Sequence, residues 1–209
     1  FVYTTNLIEN ILNLDKDTEY LFLYPKKKFI GTYAQYPNVK EIALEVPSKF
    51  LWDQVAVPYI LRKEKADLVY NPKLSIPLCS KSKKILMVHG TMHFAVKDAF
   101  KWHDSIYVRI AMPMYGRFSD KILTTTQLGI EDLSKYLRID KSKFVFAHEG
   151  VNKRFQILEK EQLSSVKAKY NLPGKYILFI GGLTPLKNFG RVVKAFDSIS
   201  KTVQHQLVV

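Results

Sequence analysis

The sequence predicts an α/β protein built on a doubly wound parallel sheet. Short apolar runs alternate with longer amphipathic stretches along the 209 residues, which is the pattern of strands and helices that follow one another. Most of the short runs are apolar without interruption, as expected of parallel strands covered on both faces. Hydrophobic residues make up 47% of the chain, enough to fill one domain and part of a second.

The elements alternate regularly from the first helix onward. The predicted strands are Tyr20–Tyr24, Glu41–Leu44, Leu68–Tyr70, Lys84–Val88, Ile122–Thr125, Phe144–Ala147 and Tyr176–Ile180, and Leu207–Val209 looks like one more. The predicted helices are Asn6–Leu14, Phe50–Lys65, Asp104–Phe118, Ile130–Leu137, Leu163–Tyr170 and Phe189–Ser200. We expect a first domain over residues 1–165, without its opening strand, and the start of a second similar domain over 166–209.

The excess of basic residues indicates which classes of partner the protein could bind. There are 32 Lys and Arg against 19 Asp and Glu, a formal charge of +13, so the surface should attract polyanions such as nucleic acid, an anionic membrane or a phosphorylated substrate. The clusters Lys26–Lys28, Arg62–Lys65 and Lys81–Lys84 hold much of the excess, although solvated turns explain them equally well. With no long apolar run and no signal-peptide pattern, we expect a soluble, cytoplasmic protein.

The clearest local motif is Ile180-Gly181-Gly182-Leu183-Thr184-Pro185-Leu186-Lys187-Asn188, which leaves a predicted strand and enters a helix. Glycines allow a ligand to approach the backbone closely. Asn188 suits the helix N-cap, and Lys187 adds a positive charge at the helix end that favours anions. The motif therefore predicts a diphosphate site, although an ordinary turn with a solvated lysine fits the residues about as well.

This motif, followed by Val192–Phe196, resembles the opening of the donor domain in glycosyltransferase family four. The resemblance implies a GT-B architecture, two Rossmann-like domains, with Gly181 and Gly182 forming the close-approach turn and Lys187 contacting the donor diphosphate. Many relatives place a second phosphate-binding arginine at position 182, so this chain departs from the commonest pattern there. The family's paired glutamates would lie beyond Val209, and we expect the chain alone to be an inactive fragment.

The second motif is Val88-His89-Gly90-Thr91, at the end of a predicted buried strand. It resembles the family's strand-His-Asp turn, which faces the donor sugar, and this implies that His89 is the catalytic-site histidine. Gly90 replaces the aspartate. A structural histidine is the alternative. His93 and His103 follow, but their spacing gives weak support for a metal, and no metal site is predicted.

Two further segments match the family more loosely. Ala147–Phe155 resembles the segment that leads out of the first domain, with Glu149 where asparagine is common. The opening helix resembles the one that follows the acceptor-side glycine loop, which makes Tyr3 and Thr4 candidate acceptor contacts.

The resemblance implies transfer of a sugar from a nucleotide diphosphate sugar to a hydroxyl of a saccharide or lipid-linked acceptor. It implies retention of anomeric configuration, no cofactor and no obligatory metal. Peripheral contact with an anionic membrane, at its inner face, is a further expectation. The alternatives are a nucleic-acid-binding module, which the scattered basic residues disfavour, and a non-catalytic remnant of the same fold.

Overall fold

The computed structural model describes residues 2–72, 74–96, 100–152 and 154–209, and it is an α/β structure. All strand pairs in these ranges are parallel, which confirms the fold class predicted from the sequence. The residues form two compact units, one within 1–97 and 102–150, the other within 98–101 and 151–209. The domain boundary expected after residue 165 remains a prediction.

The first unit contains two parallel sheets. One pairs β1 with β2, and the other has four strands in the order β3-β4-β5-β6. The strands are β1 Tyr20–Tyr24, β2 Val39–Ala43, β3 Leu68–Asn71, β4 Lys83–Met87, β5 Lys121–Thr124 and β6 Phe144–Phe146. Each lies within two residues of its predicted position at either end. The apolar residues in most of these short strands are the signal that predicted them, as expected of parallel strands covered on both faces.

The helices of the first unit alternate with these strands. They are α1 Val2–Leu14, α2 Lys49–Leu51, α3 Val57–Lys63, α4 Met92–Ala95, α5 Trp102–Phe118 and α6 Gln127–Leu137, and the π-helical turn Trp52–Ala56 joins α2 to α3. Side-chain caps define where α2 and α6 begin. Ser48 accepts a hydrogen bond from the Leu51 N–H at 3.2 Å, and Thr126 accepts one from the Gly129 N–H at 2.9 Å. The short α4 lies in a stretch that we predicted to be a loop.

The core of this unit lies between the four-stranded sheet and helices α5 and α6. Leu86 and Ile122 from the central strands are fully buried together with Leu133 and Leu137 from α6. Met112 from α5, 1% exposed, packs in the same cluster. This packing fixes the strands, and with them the positions of the side chains that follow their carboxyl ends.

The second unit contains one strand-helix-strand motif preceded by a helix. Its elements are α7 Lys160–Lys169, β7 Tyr176–Leu178, α8 Phe189–Ile199 and β8 Gln206–Val208. β7 pairs with β8 in parallel, with Tyr176 opposite Gln206. α7 begins with a capping box, in which the Glu159 N–H donates to Gln162 Oε1 at 3.0 Å. β7 ends two residues before its predicted end.

Across the described ranges, the helices are too short or too polar to span a membrane.

Candidate functional site

The carboxyl ends of strands β3, β4 and β6 bring together the side chains of the candidate site. Parallel strands that follow one another through helices present their carboxyl ends at one edge of the sheet, where ligands of such folds bind. Tyr70 lies near the end of β3, His89 lies two residues after β4, and Glu149 lies three residues after β6. The edge therefore carries an imidazole, a carboxylate and a phenol.

His89 and Glu149 form the central pair. Nδ1 of His89 lies 3.0 Å from Oε1 of Glu149, and the two side chains are 40% and 52% exposed. An ionised carboxylate only accepts hydrogen bonds, so this contact requires the proton of the imidazole on Nδ1. In the neutral ring, Nε2 then presents its lone pair, and the ring can accept a hydrogen bond from a sugar hydroxyl.

Tyr3, in the first turn of α1, packs against the same imidazole. The two rings meet edge to face, with centroids 4.8 Å apart and planes at 85°. The hydroxyl of Tyr3 lies 3.2 Å from that of Tyr70, which is partly buried. Burial, together with the hydrogen bond to Tyr3, raises the pKa of Tyr70 above that of a phenol in water. Tyr70 is therefore a neutral hydroxyl that holds Tyr3 against His89.

Some of the predicted site residues thus lie together. The structure places the predicted acceptor contact Tyr3 beside the predicted catalytic histidine, His89. Thr4 is the next residue of α1 and is partly exposed. The ligand roles of these residues remain predictions. Sequence reasoning missed Tyr70 as a site residue, and the signal that could have found it is a hydroxyl-bearing side chain at the end of a predicted strand.

The other histidines of the first unit make contacts of their own. His148 packs its ring against Phe146, with centroids 4.3 Å apart. His93 lies in α4, where burial lowers its pKa. Nε2 of His103 lies 3.7 Å from Oδ1 of Asp104 in α5. In the part of the chain that the structure describes, no three His, Cys, Asp or Glu side chains are grouped to hold a metal ion.

The glycine loop of the second unit leaves β7 after the Phe179 N–H donates to the Val208 carbonyl at 2.8 Å. Gly181 and Gly182 are both exposed, and neither has a positive φ. The stem of Lys187 passes over Gly181, since a Cβ there would lie 3.6 Å from Cγ of Lys187. The loop thus offers open backbone beside an exposed ammonium group, as an anion site requires.

Asn188 occupies the predicted N-cap position of α8, but by a different geometry. Its backbone is left-handed, with φ 53° and ψ 33°, and its side chain makes no capping hydrogen bond. The Asn188 N–H instead closes a 3₁₀ turn on the Pro185 carbonyl at 3.2 Å, and its own carbonyl accepts from the Arg191 N–H at 3.0 Å. Asparagine tolerates this conformation better than most residues, which explains its place here.

Comparison with known proteins identifies the architecture. No protein-family model and no curated protein matches this chain significantly. Among solved structures, a glycosyltransferase from Rickettsia africae ESF-5 matches 90% of the chain at a TM-score of 0.53 and 16% identity. Anabaena HepE, solved in complex with UDP and glucose, matches 91% at a TM-score of 0.61 and 12% identity.

The chain has the GT-B fold. It spans 59% of the Rickettsia chain and 60% of the Anabaena chain, or about three fifths of each. In this GT-B chain, the pair of His89 and Glu149 belongs to the first Rossmann-like unit, and the loop that carries Lys187 belongs to the second.

Proposed function

We propose that this chain is the acceptor-side domain and the beginning of the donor-side domain of a glycosyltransferase that uses a nucleotide diphosphate sugar. The observation that carries the proposal is His89, presented by the carboxyl edge of the sheet and held by Glu149 in a chain with the GT-B fold. Proteins with one fold can have many functions, so the proposed function depends on this site and its chemistry. The UDP and glucose bound to Anabaena HepE support the choice of donor class.

In the proposed reaction, the sugar passes to a hydroxyl of a saccharide or lipid-linked acceptor with retention of configuration, as in glycosyltransferase family four. The bond between the anomeric carbon and the diphosphate oxygen breaks, and negative charge grows on the departing diphosphate. Lys187 and the amide groups at the start of α8 would stabilise that charge. His89, fixed in one tautomer by Glu149, would orient the sugar through Nε2.

In this mechanism the protein stabilises developing charge and orients the reacting groups. No side chain is assigned as a nucleophile, and the proposed reaction has no obligatory metal. The proton of the acceptor hydroxyl leaves with the diphosphate. Action in the cytoplasm, at the inner face of a membrane, belongs to the same proposal.

The test needs a protein that contains this chain with a complete donor-side domain. Nucleoside diphosphate release is measured for UDP-, GDP-, ADP- and dTDP-sugars, with saccharide and lipid-linked acceptors, and NMR determines the anomeric configuration of the product. We expect release with one nucleotide class and a product with the anomeric configuration of the donor. An inverted product would overturn retention. If every pair failed while the protein remained folded, the transferase proposal would be wrong.

A further inference from the structure

Helix α5 carries apolar side chains on two opposite sides. On the side that faces the sheet, Val108, Met112 and Tyr115 are buried in the core. On the outer side, five large apolar residues recur at every fourth position, a spacing that places them in one row along the helix. They are Trp102, Ile106, Ile110, Met114 and Phe118. Because a helix that is apolar all round is normally buried all round, the outer row indicates a second contact of α5.

The outer row of α5 is exposed to solvent. The exposed fractions are 74% for Trp102, 49% for Ile106, 70% for Ile110, 38% for Met114 and 58% for Phe118. Tyr107, which is 51% exposed, lies beside the row, three positions before Ile110. Single exposed apolar residues are ordinary on a protein surface, whereas a contiguous patch indicates an interaction site. We call these six side chains the α5 face.

The α5 face is large enough for a protein partner. A large apolar side chain has roughly 200 Å² of surface, so the exposed parts of these six amount to about 700 Å². A specific protein interface buries about 800 Å² on each partner. If two copies of the chain met through the α5 face, this face would therefore supply most of the area that a stable dimer needs.

The outer row is symmetric about Ile110. Ile106 and Met114 lie four positions to either side of it, and Trp102 and Phe118 lie eight positions away. Rows with this spacing interdigitate in the commonest class of helix packing, at a crossing angle of about −50°. An antiparallel pair that crosses at Ile110 places Ile106 opposite Met114 of the second copy, and Ile110 opposite its own equivalent. Such a contact uses the same patch on both copies and closes as a dimer.

Electrostatics does not drive the association of this face with a second copy. Each copy carries a formal charge of +13, and Arg109 and Arg117 of α5 are exposed. Long arginine side chains can keep their guanidinium groups in water while their stems cover apolar surface. His103 lies beside Asp104, with its Nε2 3.7 Å from Oδ1. The apolar area must therefore supply the affinity, and added salt should strengthen the dimer by screening the repulsion between the two copies.

We propose that the α5 face is a homodimer interface, in which two copies of α5 cross in antiparallel orientation at Ile110. A second copy fits both observations, since it supplies a matching apolar area and the symmetry of the row. Two arginines beside the face are fewer basic residues than attachment to an anionic bilayer requires, so the face favours a protein partner. The proposal does not depend on the transferase activity.

Sedimentation velocity of the 209-residue chain, between about 1 and 100 μM, tests the proposal. We expect a monomer–dimer equilibrium that does not weaken as salt rises. Ile110→Glu places a carboxylate at the centre of the contact in both copies, so the dimer dissociation constant should rise by at least about thirtyfold. Ile157→Glu is the matched control, because Ile157 is a fully exposed isoleucine outside α5. This control should change the constant by less than about twofold.

Cross-linking tests the symmetry of the contact. Ile110→Cys is combined with Cys79→Ser, which removes the exposed native thiol. Mild oxidation should link two copies through position 110, because the proposed contact places Ile110 opposite its own equivalent. Ile157→Cys/Cys79→Ser is the control and should not link above background. Circular dichroism checks that each variant remains folded, and only folded variants are compared.

The sedimentation measurement on the protein with a complete donor-side domain should also give a dimer. A monomer there, alongside a dimer of the 209-residue chain, would show that another part of the protein covers the α5 face, and the proposal would be wrong. A monomeric 209-residue chain would overturn it as well. So would an equal effect of the two glutamate variants, or equal cross-linking at the two cysteine positions.

Discussion

Nδ1 of His89 lies 3.0 Å from the carboxylate of Glu149, although the two residues are 60 positions apart in the sequence. β4 and β6 end on either side of β5, and the loops after them converge at one edge of the sheet. The carboxylate determines which imidazole nitrogen carries the proton, so it sets the hydrogen-bonding role of the other. Glu149 is therefore a positioning residue for His89 in the proposed site.

Replacement of His89 by alanine should lower turnover by at least about tenfold in the protein with a complete donor-side domain. The side chain is 40% exposed and contributes little to the core, so the unfolding midpoint should remain close to that of the parent. Steady-state kinetics and thermal unfolding measure the two effects. His103→Ala, on α5, is the control and should retain activity. A large loss of stability in His89→Ala would instead identify a structural histidine.

A double-mutant cycle tests the role of Glu149. Glu149→Ala should lower turnover by about three- to tenfold, because the imidazole loses the group that fixes its tautomer. The double variant with His89→Ala should be no slower than His89→Ala alone, since Glu149 acts only through the histidine. Additive losses would contradict this assignment and would indicate a separate contact of Glu149 with substrate.

Lys187→Ala should weaken binding of the nucleotide diphosphate sugar by roughly 1.5 to 3 kcal/mol, the usual cost of losing a charge-assisted hydrogen bond. Lys187 is exposed, so folding should be unaffected. Isothermal titration calorimetry on the protein with a complete donor-side domain measures the affinity. Lys194→Ala is the matched control, because Lys194 is an exposed lysine in α8, the helix that follows the loop of Lys187. Equal affinity of the Lys187 variant and the parent would show that Lys187 does not bind the donor.

Gly116→Ala should destabilise the first unit by about 1 to 3 kcal/mol through overpacking. Gly116 is buried in α5, where an added Cβ would clash with Cδ1 of Ile139 and would lie 3.3 Å from Cδ1 of Ile122. Gly190→Ala is the control in α8, where a Cβ would meet nothing within 4 Å. There alanine should be neutral or stabilising, since it has the higher helix propensity. Denaturant unfolding measures both, and a Gly116 variant as stable as the parent would contradict the packing described for the core.

Asp15 should make stability depend on pH in the acid range. The Thr18 hydroxyl and N–H, the Tyr20 hydroxyl and the Asp17 N–H donate to its carboxylate, Thr18 foremost, and they lower its pKa from 3.8 to about 2. The sign follows from linkage. A depressed pKa stabilises the folded state above the unfolded value, and the contribution disappears as the pH falls through the folded value.

The difference in unfolding midpoint between the parent and Asp15→Asn should therefore be constant above about pH 5 and shrink towards zero near pH 2. Asp17→Asn is the control, since it removes a neighbouring carboxylate and leaves the Asp15 bonds in place. A difference between parent and Asp15→Asn that is independent of pH would show that the charge of Asp15 does not contribute to stability.

The sequence alone determined the alternation of strands and helices and most of their bounds. β4 and β5 contain the apolar runs Ile85–Met87 and Ile122–Leu123 because these strands lie inside the sheet, and such runs can be recognised in the sequence. The helix starts were less well predicted: α1 begins at Val2 and not at Asn6, and α4 was missed. Helix ends depend on caps and packing, which the periodic pattern of apolar residues does not reveal.

The sequence also placed His89 at the end of a strand, but only the tertiary structure decided what lies beside it. Tyr3 and Glu149 come from opposite ends of the first unit, and Tyr70 is 67 residues from Tyr3. Whether these side chains come into contact depends on the order of strands in the sheet and on the packing of α1. The local periodicity of the sequence reports neither. The tertiary structure also decided where the basic clusters lie. The sequence shows that these residues are charged, but it does not show at which edge of the sheet they stand.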